Sequence, residues 1–220
     1  MARKKNTGIR MNDKALLFIN GVPPSTIPNF EGYGLIACSD GAFHYLKKLG
    51  FPLKKLAFIS GDFDSHSGTD ESLAQDKFIY TPDQDKTDFH KSLEIILYRG
   101  YKTVDVYGGS GGEMDHFLGN LHTALAFKDA LDITFYDEFS RYFFAPKNLV
   151  LTEMKGRLVS LFPVSVASNI KTEGLNWELN GEDLSVDKRI GTRNFALKDK
   201  VSVQFSGGEL VVFVGHQPMG

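Results

Sequence analysis

Cysteine is nearly absent from this sequence: Cys38 is the only one among 220 residues. A single cysteine excludes an internal disulfide framework and a zinc site built from cysteines. Cys38 lies within an apolar run, which is typical of a small buried side chain. We therefore predict that Cys38 fills space in the core and has no chemical role.

Long hydrophobic runs and an excess of one charge are also lacking. No segment approaches the ~18–20 apolar residues that a membrane-spanning helix needs. The basic first residues are not followed by the apolar stretch of a signal peptide. With 25 basic and 27 acidic residues the net charge is −2, so bulk electrostatics would not hold a nucleic acid. We expect a cytoplasmic protein without a membrane or nucleic-acid partner.

The first two thirds of the chain alternate between short apolar runs and helical patterns. The predicted strands are 15–19, 34–38, 56–60, 78–80, 104–107 and 131–136. Helices are predicted over 42–49, from Thr87 to Gly100 and from about Asp115 to Lys128, where apolar residues recur at helical spacing. This βα rhythm predicts an open α/β domain with a mostly parallel sheet.

After Pro146 the pattern changes to short runs separated by turn residues. The predicted strands are 149–151, 157–162, 169–177, 201–205 and 210–214, the last two joined as a hairpin through 206–209. Because no helical pattern occurs here, we predict an all-β domain. The predicted domains are therefore 13–146 and 147–220, after a disordered segment 1–12.

Aspartates follow the predicted strands and begin one of the predicted helices. They are Asp40 after the second strand, Asp62 and Asp64 after the third, and Asp88 at the helix start that follows the fourth. The carboxyl ends of parallel strands meet at one edge of a sheet. Carboxylates that lie close together repel one another unless cations neutralise them, and divalent ions with oxygen ligands usually do so. The sequence therefore predicts metal-dependent phosphate chemistry at this edge.

Two loops add features of a phosphate site. Residues 81–88 lead into a helix start, whose free N–H groups and dipole favour anions, and Lys86 adds a positive charge. Asp88 at the same helix start would repel a bare phosphate, so the pattern favours a metal–nucleotide complex. The glycine-rich residues 108–112 can surround an anion with N–H groups, although they match neither the Walker A nor the dinucleotide-binding pattern.

Purely structural roles also account for several of these residues. Asp83 and Asp85 are common turn residues, and Asp115 is expected to cap a helix. His116 would either contact a nucleotide or simply pack. Trp177 would either lie in the core or provide a stacking surface for a flat ligand.

Seven motifs, in order and spacing, resemble those of the thiamine pyrophosphokinase family. They lie at 39–42, 61–65, 81–89, 108–116, 160–163, 172–177 and 191–194, and so extend over nearly the whole chain after Leu16. The resemblance implies an α/β fold with a Rossmann-like, mostly parallel sheet and flanking helices, followed by an all-β sandwich domain. It also implies a homodimer with its active site at the subunit interface. The implied reaction is ATP-dependent transfer of a pyrophosphoryl group to thiamine, giving thiamine diphosphate and AMP.

The resemblance further implies roles for individual residues. Mg²⁺ would be held by Asp40, Asp62, Asp64 and Asp88. Of these, Asp62, Asp64 and Asp88 would be catalytic, with either Asp64 or Asp88 orienting or deprotonating the hydroxyl. The residues around ATP would be Gln84, Lys86, Thr87, Gly109, Ser110, Gly111, Gly112, Asp115 and His116. The residues near thiamine would be Ser160, Thr172, Trp177 and Asn194.

Three residues depart from the family pattern. Glu113 stands where many relatives carry arginine, Arg193 where serine is common, and Asn176 where lysine is frequent.

Three other functions stay open. The first alternative is a haloacid-dehalogenase-type Mg²⁺-dependent phosphohydrolase, because an Asp-x-Asp motif after a strand is also that family's nucleophile motif. The others are a pyrophosphokinase for another heterocyclic alcohol, such as a pterin, and a non-catalytic nucleotide-binding module.

Overall fold

The computed structural model describes residues 13–62 and 75–218. The predicted lead-in 1–12 and the predicted ligand Asp64 lie outside this part of the chain. The described residues form two compact units, one up to Ile133 and one from Thr134. The domain boundary predicted between 146 and 147 stays a prediction.

The first unit contains a parallel sheet and three α-helices. Its elements are β1 (Lys14–Phe18), β2 (Leu35–Ser39), α1 (Asp40–Lys48), β3 (Phe58–Gly61), β4 (Phe78–Tyr80), α2 (Asp88–Tyr98), β5 (Thr103–Tyr107) and α3 (Met114–Phe127). The strands pair in the order β4-β3-β2-β1-β5, and every pair is parallel. The predicted strands of this half are confirmed, with ends shifted by at most two residues. β2 and β3 are buried along their whole length, as expected of strands covered on both faces.

Helix α2 begins where the sequence predicts. The Thr87 side chain accepts a hydrogen bond from the backbone N–H of His90 at 3.2 Å, which caps the helix. Asp88 occupies the first turn, where the helix dipole favours a negative charge. The predicted apolar face is buried at Phe89, Leu93 and Ile96.

Helix α3 differs in detail from the prediction. It begins at Met114, and Glu113 occupies the N-cap position without a side-chain cap bond. The expectation that Asp115 caps this helix is therefore wrong, because Asp115 already lies in its first turn. The predicted inward face at 117, 121 and 125 is only half-buried, whereas Thr123 and Ala124 are buried.

The second unit is built from antiparallel pairs. Its strands are β6 (Asp132–Tyr136, which starts at the end of the first unit), β7 (Ser140–Phe144), β8 (Asn148–Leu151), β9 (Arg157–Glu173), β10 (Asn180–Ser185), β11 (Gly191–Phe195), β12 (Val201–Gln204) and β13 (Gly207–Pro218). They pair in the order β6-β7-β13-β9-β12-β8, with β10 and β11 added on β9. Together the two units give a mixed α/β protein with many strands and few helices.

Strand β9 corrects the prediction of two separate runs, 157–162 and 169–177. It is a single strand of 17 residues. Its turn-type residues Ser165 and Asn169 take left-handed φ angles of 67° and 54°. The register against the neighbouring strands also shifts along β9, as in a β-bulge. Residues that look like a turn in the sequence therefore lie within a bulged strand.

The predicted hairpin of the last two strands is wrong. β12 pairs with residues 171–173 of β9 and with β8, and β13 pairs with residues 157–168 of β9 and with β7. The two strands therefore follow one another along β9, and within the part of the chain that the structure describes they do not pair together. The link between them lies against β9, where the N–H of Ser206 donates to the Ser168 carbonyl at 3.0 Å.

Cys38 is fully buried in the core of the first unit, which confirms its predicted place. Burial raises the pKa of its thiol, and the nearby Asp40 carboxylate raises that pKa further. A thiol in such surroundings is inert at neutral pH. Among the described residues, no helix has both the length and the apolar character needed to cross a membrane.

We expect Gly108→Ala to destabilise the protein more than Gly100→Ala. Both glycines have left-handed φ angles, +78° and +88°. An added Cβ at 108 would lie 2.1 Å from the Ile19 carbonyl oxygen, whereas one at 100 would meet nothing within 4 Å. The free energy of unfolding should fall by about 3 kcal/mol for Gly108→Ala and about 1 kcal/mol for Gly100→Ala. Urea denaturation measures both, and equal losses would contradict the expectation.

Candidate functional site

A pocket of about 380 Å³ opens in the first unit. Its wall is formed by residues that follow β1 and β3, by the last residue of β2, and by residues at or near the starts of α2 and α3. The predicted site residues on this wall are Asp62, Gln84, Lys86, Thr87, Asp88, Gly111, Asp115 and His116. The structure thus brings together residues from three separate motifs.

The parallel sheet explains this convergence. β1, β2 and β3 run in the same direction, so the residues at or just beyond their carboxyl ends lie at one edge. The loop after β4 leads straight into α2, which adds the free N–H groups of a helix start. The pocket therefore combines carboxylates with the start of a helix, a type of backbone that favours anions.

Asp40 is buried beside this pocket. It is the first residue of α1, is 8% exposed, and accepts a hydrogen bond from the backbone N–H of Gly41. A Cβ added at Gly61 would lie 2.6 Å from the Asp40 carboxyl carbon. The glycine at the end of β3 therefore lets the Asp40 carboxyl approach the backbone next to Asp62.

Asp62 and Asp88 contribute carboxylates from two different elements. Asp62 follows β3, and the amide nitrogen of Gln84 lies 3.5 Å from its Oδ2. Asp88 begins α2, and its Oδ1 lies 2.9 Å from the ammonium of Lys91. Both aspartates line the pocket. Two carboxylates thus face one space, and one of them is already paired with a cation.

Two buried serines tie the start of α2 to the end of β3. Ser60 and Ser92 are fully buried, and their hydroxyl oxygens lie 2.7 Å apart. The Ser92 hydroxyl also contacts the backbone carbonyl of Asp88 at 2.7 Å. Since Ser60 lies two residues before Asp62, this contact fixes the two acidic segments relative to each other.

Lys86, the predicted phosphate contact, is engaged in an ion pair. Its ammonium donates to Oε1 of Glu94 at 2.7 Å and lies 3.8 Å from Oδ2 of Asp83. The hydrogen bond that Lys86 donates to Glu94 is the main cause that raises the pKa of Lys86. Lys86 lines the pocket and remains protonated, so it brings a positive charge to this wall.

The glycine-rich loop takes part in the pocket mainly through Gly111. Gly111 lines the pocket and has a left-handed φ of 73°. Gly109 is buried, and its carbonyl accepts from the side-chain amide of Asn120 at 3.0 Å. The Ser110 carbonyl accepts from the N–H of Val22 at 3.0 Å, and Gly112 is exposed. These bonds hold the loop against α3 and against the residues that follow β1.

Asp115 and His116 lie on the pocket wall at the start of α3. The Asp115 carboxylate accepts from the backbone N–H of His116 at 2.9 Å. The Nε2 atom of His116 lies 3.7 Å from the Glu113 carboxylate. Both Asp115 and His116 are exposed to solvent, and neither belongs to the core.

Several residues of the wall were not predicted from the sequence. Those with polar side chains are Asn20, Ser39, Lys91 and Asn120. Ser39 occupies the N-cap position of α1, yet its side chain makes no cap bond. Its buried hydroxyl has no hydrogen-bond partner within the described chain. The sequence signal for Ser39 was its place directly before Asp40 at a strand end.

The donor atoms at this edge fit a hard divalent cation in kind. Carboxylate oxygens are the ligands that such ions prefer, and Asp62 and Asp88 supply them from the pocket wall. Within 13–62 and 75–218, no group of three or more His, Cys, Asp or Glu side chains is arranged to hold a metal. Asp64, the fourth predicted ligand, lies outside these ranges.

The predicted thiamine-side residues lie in the second unit, and two of them bond to each other. The backbone N–H of Trp177 donates to Oδ1 of Asn194 at 3.1 Å, and Nδ2 of Asn194 donates to the Trp177 carbonyl at 2.7 Å. The Trp177 ring is 58% exposed and meets the Phe195 ring edge-on. Asn194 thus fixes the backbone of Trp177, whose exposed ring provides an aromatic surface.

The hydroxyls of Ser160 and Thr172 accept hydrogen bonds from backbone N–H groups of this unit. The Ser160 hydroxyl accepts from the N–H of Arg193 at 2.9 Å. The hydroxyl of the buried Thr172 accepts from the N–H of Leu179 at 2.9 Å. Arg193, one of the three residues that depart from the family pattern, has a left-handed φ of 56°, which is uncommon for a residue other than glycine.

Two family models match successive parts of the chain. The model described as "Thiamin pyrophosphokinase, catalytic domain" matches residues 30–135, and the one described as "Thiamin pyrophosphokinase, vitamin B1 binding domain" matches residues 147–210. The first match contains the pocket residues from Ser39 to Asn120. The second contains the predicted thiamine-side residues.

Similar proteins and structures carry the same family name. Thiamin pyrophosphokinase 1 of Caenorhabditis elegans is 27% identical over 207 residues, which cover 86% of this chain and 84% of that protein. Thiamine pyrophosphokinase of Bacillus subtilis is 24% identical over 212 residues, which cover 90% and 97%.

The fold is also that of solved thiamine pyrophosphokinases. The crystal structure from Bacillus subtilis has a TM-score of 0.76 at 22% identity and covers 91% of this chain and 98% of its own. The structure from Candida albicans has a TM-score of 0.79 at 17% identity and covers 93% and 90%. With both domain models matched in order, this chain belongs to the thiamine pyrophosphokinase family.

Proposed function

We propose that this protein transfers a pyrophosphoryl group from ATP to the hydroxyl of thiamine, giving thiamine diphosphate and AMP. One observation carries the proposal in particular. Asp62 and Asp88 share a pocket with the start of α2, so carboxylates and an anion-binding helix end face the same space. Such a site suits a triphosphate that arrives with a divalent cation. The family membership specifies thiamine as the acceptor.

Mg²⁺ is the proposed cation and ATP the proposed co-substrate. The proposed Mg²⁺ ligands are Asp40, Asp62, Asp64 and Asp88. When bound, Mg²⁺ would neutralise negative charge on the phosphate oxygens. The proposed residues around ATP are Gln84, Lys86, Thr87, Gly109, Ser110, Gly111, Gly112, Asp115 and His116.

In this reaction the protein acts mainly by positioning its substrates. The thiamine hydroxyl oxygen forms a bond to the β-phosphorus, and the bond from that phosphorus to the oxygen shared with the α-phosphorus breaks. The electron pair of the broken bond leaves with AMP, and the hydroxyl proton passes to a base. Asp64 or Asp88 is the proposed base, and for Asp88 the contact with Lys91 fixes one carboxylate oxygen.

The thiamine-binding residues are proposed to be Ser160, Thr172, Trp177 and Asn194. The exposed Trp177 ring supports this, because an aromatic face can stack on a flat heterocycle. Asn194 would act by fixing the backbone of Trp177. Ser160 and Thr172 would shape the surrounding backbone through the bonds that their hydroxyls already accept.

The finer architecture is part of the same proposal. We describe 13–146 as a Rossmann-like nucleotide-binding domain and 147–220 as a β-sandwich that binds thiamine. A cytoplasmic homodimer with its active site at the subunit interface completes the proposal. Its support in this chain is the exposed apolar surface of α3, where Met114 and Leu118 lie one turn apart and are 62% and 63% exposed.

The direct test is the identity of the products. We expect incubation with ATP, Mg²⁺ and thiamine to yield thiamine diphosphate and AMP in equal amounts, as seen by mass spectrometry. ADP would indicate transfer of a single phosphoryl group. Free phosphate without AMP would favour the phosphohydrolase alternative, and product formation only with a pterin alcohol would favour the other pyrophosphokinase.

Asp62→Asn is expected to lower AMP-forming turnover by at least ~10²-fold, because it removes charge that the site supplies to the reaction. Asp64→Asn should have a similar effect. The matched control is Asp76→Asn, an exposed carboxylate in the short helical turn before β4. It should keep the wild-type rate. Near-wild-type AMP formation by Asp62→Asn, with the fold checked by circular dichroism, would reject the role of Asp62.

Gly61→Ala should weaken the use of Mg²⁺ through Asp40. The added Cβ would lie 2.6 Å from the Asp40 carboxyl carbon, so that carboxyl must move. We expect the Mg²⁺ concentration for half-maximal rate to rise by about 10–100-fold, as when a metal ligand loses its support. Gly207→Ala is the control, because its Cβ would make only an ordinary contact of 3.5 Å with Ser168. An unchanged Mg²⁺ dependence in Gly61→Ala would exclude a metal-binding role for Asp40.

A further inference from the structure

Lys91 is a buried lysine in the candidate site, and its contacts extend beyond the Asp88 carboxylate. It lies in the first turns of α2, is only 6% exposed, and lines the pocket. Lysine is almost never buried to this extent unless its charge is paired. The burial of Lys91 therefore depends on contacts that pair its charge.

Two local effects work against a lysine here. Moving an ammonium out of water costs free energy. The N-terminal end of a helix carries partial positive charge, so a cation in this region is unfavourable as well. A residue that breaks local rules in this way is expected at a functional site, where its contacts outweigh the cost.

The contacts of Lys91 join three parts of the site. Its ammonium lies 2.9 Å from the Asp88 carboxylate. It also donates to the backbone carbonyl of Thr81 at 2.8 Å and to that of Asp83 at 3.2 Å. All three donor positions of the ammonium thus have an acceptor. The side chain connects the loop after β4 to the first carboxylate of α2.

The connected loop carries the proposed ATP-binding residues. Gln84, Lys86 and Thr87 lie between the carbonyl that Lys91 holds at Asp83 and the carboxylate that it holds at Asp88. The span is closed at both ends by the same ammonium. Fixing the ends of a short segment lowers the entropy that ligand binding must remove.

We propose that Lys91 is a positioning residue for the metal–nucleotide site: its ammonium holds the 81–88 segment and the Asp88 carboxylate in the conformation that receives MgATP. The proposal rests on the proposed function for the identity of the nucleotide. The role is distinct from catalysis, because Lys91 acts through Asp88 and through backbone carbonyls. It also differs from Lys86, whose ammonium pairs with the Glu94 and Asp83 side chains.

The test compares Lys91→Met with the wild-type protein by three measurements. We expect the Kd for ATP in excess Mg²⁺ without thiamine, measured by equilibrium dialysis, to rise at least about tenfold. The KM for ATP should rise by a similar factor while kcat changes much less. Amide hydrogen exchange of 81–88 in the ligand-free protein should become faster, with exchange in β5 unchanged.

Lys77→Met is the matched control for the loss of a lysine that donates to backbone carbonyls. Lys77 also donates to two backbone carbonyls, those of Lys54 and Leu56, each at 2.7 Å, but it lies in the short helical turn before β4 and is not on the pocket wall. Its substitution should lower the melting temperature. The Kd for MgATP should stay within about twofold of the wild-type value, a change in binding free energy of less than ~0.5 kcal/mol. A merely structural role of Lys91 predicts this same result for Lys91→Met, and that outcome would overturn the proposal.

Lys91→Arg keeps the charge and the donors, and it decides the case if Lys91→Met fails to fold. Affinity for MgATP close to the wild-type value supports the proposal, and a folded Lys91→Arg protein with unchanged exchange of 81–88 but tenfold weaker binding overturns it. The binding and exchange measurements need no thiamine. If the wild-type protein binds MgATP but forms no thiamine diphosphate, the proposed function fails while the role of Lys91 is still decided.

Discussion

Repulsion between carboxylates at one sheet edge is the constraint on which the first unit depends. A parallel sheet brings the carboxyl end of every strand to the same edge, so aspartates placed after successive strands lie along that edge. Asp62 and Asp88 do so on the wall of one pocket. Carboxylates gathered at one edge repel one another unless cations neutralise them, and the Lys91 ammonium supplies one such cation to Asp88. The fold must therefore hold these segments by contacts that do not depend on a bound ion.

The structure contains such contacts in the core just below the pocket. The paired hydroxyls of Ser60 and Ser92 join β3 to α2, and the Lys91 ammonium joins α2 to the loop before it. Both are buried polar contacts, which are strong when every donor has its acceptor and costly when one is lost. Conformational order at the acidic edge is thus obtained from the interior.

How far the sequence predicts this arrangement depends on the range of the interactions involved. Asp62 and Asp88 were predictable, because strand ends and helix starts have local signals. Lys91 was not, because a lysine in an amphipathic helix usually faces solvent and its acceptors are backbone carbonyls fixed by the loop. In the second unit, Ser165 and Asn169 resemble turn residues, and only the pairing of distant strands makes them part of β9.

The length of β9 has a consequence for how the second unit folds. One strand of 17 residues serves as the pairing partner of β10, β11, β12 and β13. Most of these pairings join residues far apart in the chain, and β13 is made after the other three. Such long-range pairing slows assembly. Until β13 is in place, one edge of the central strand stays open to pairing with another chain, so newly made protein passes through a period of risk of aggregation.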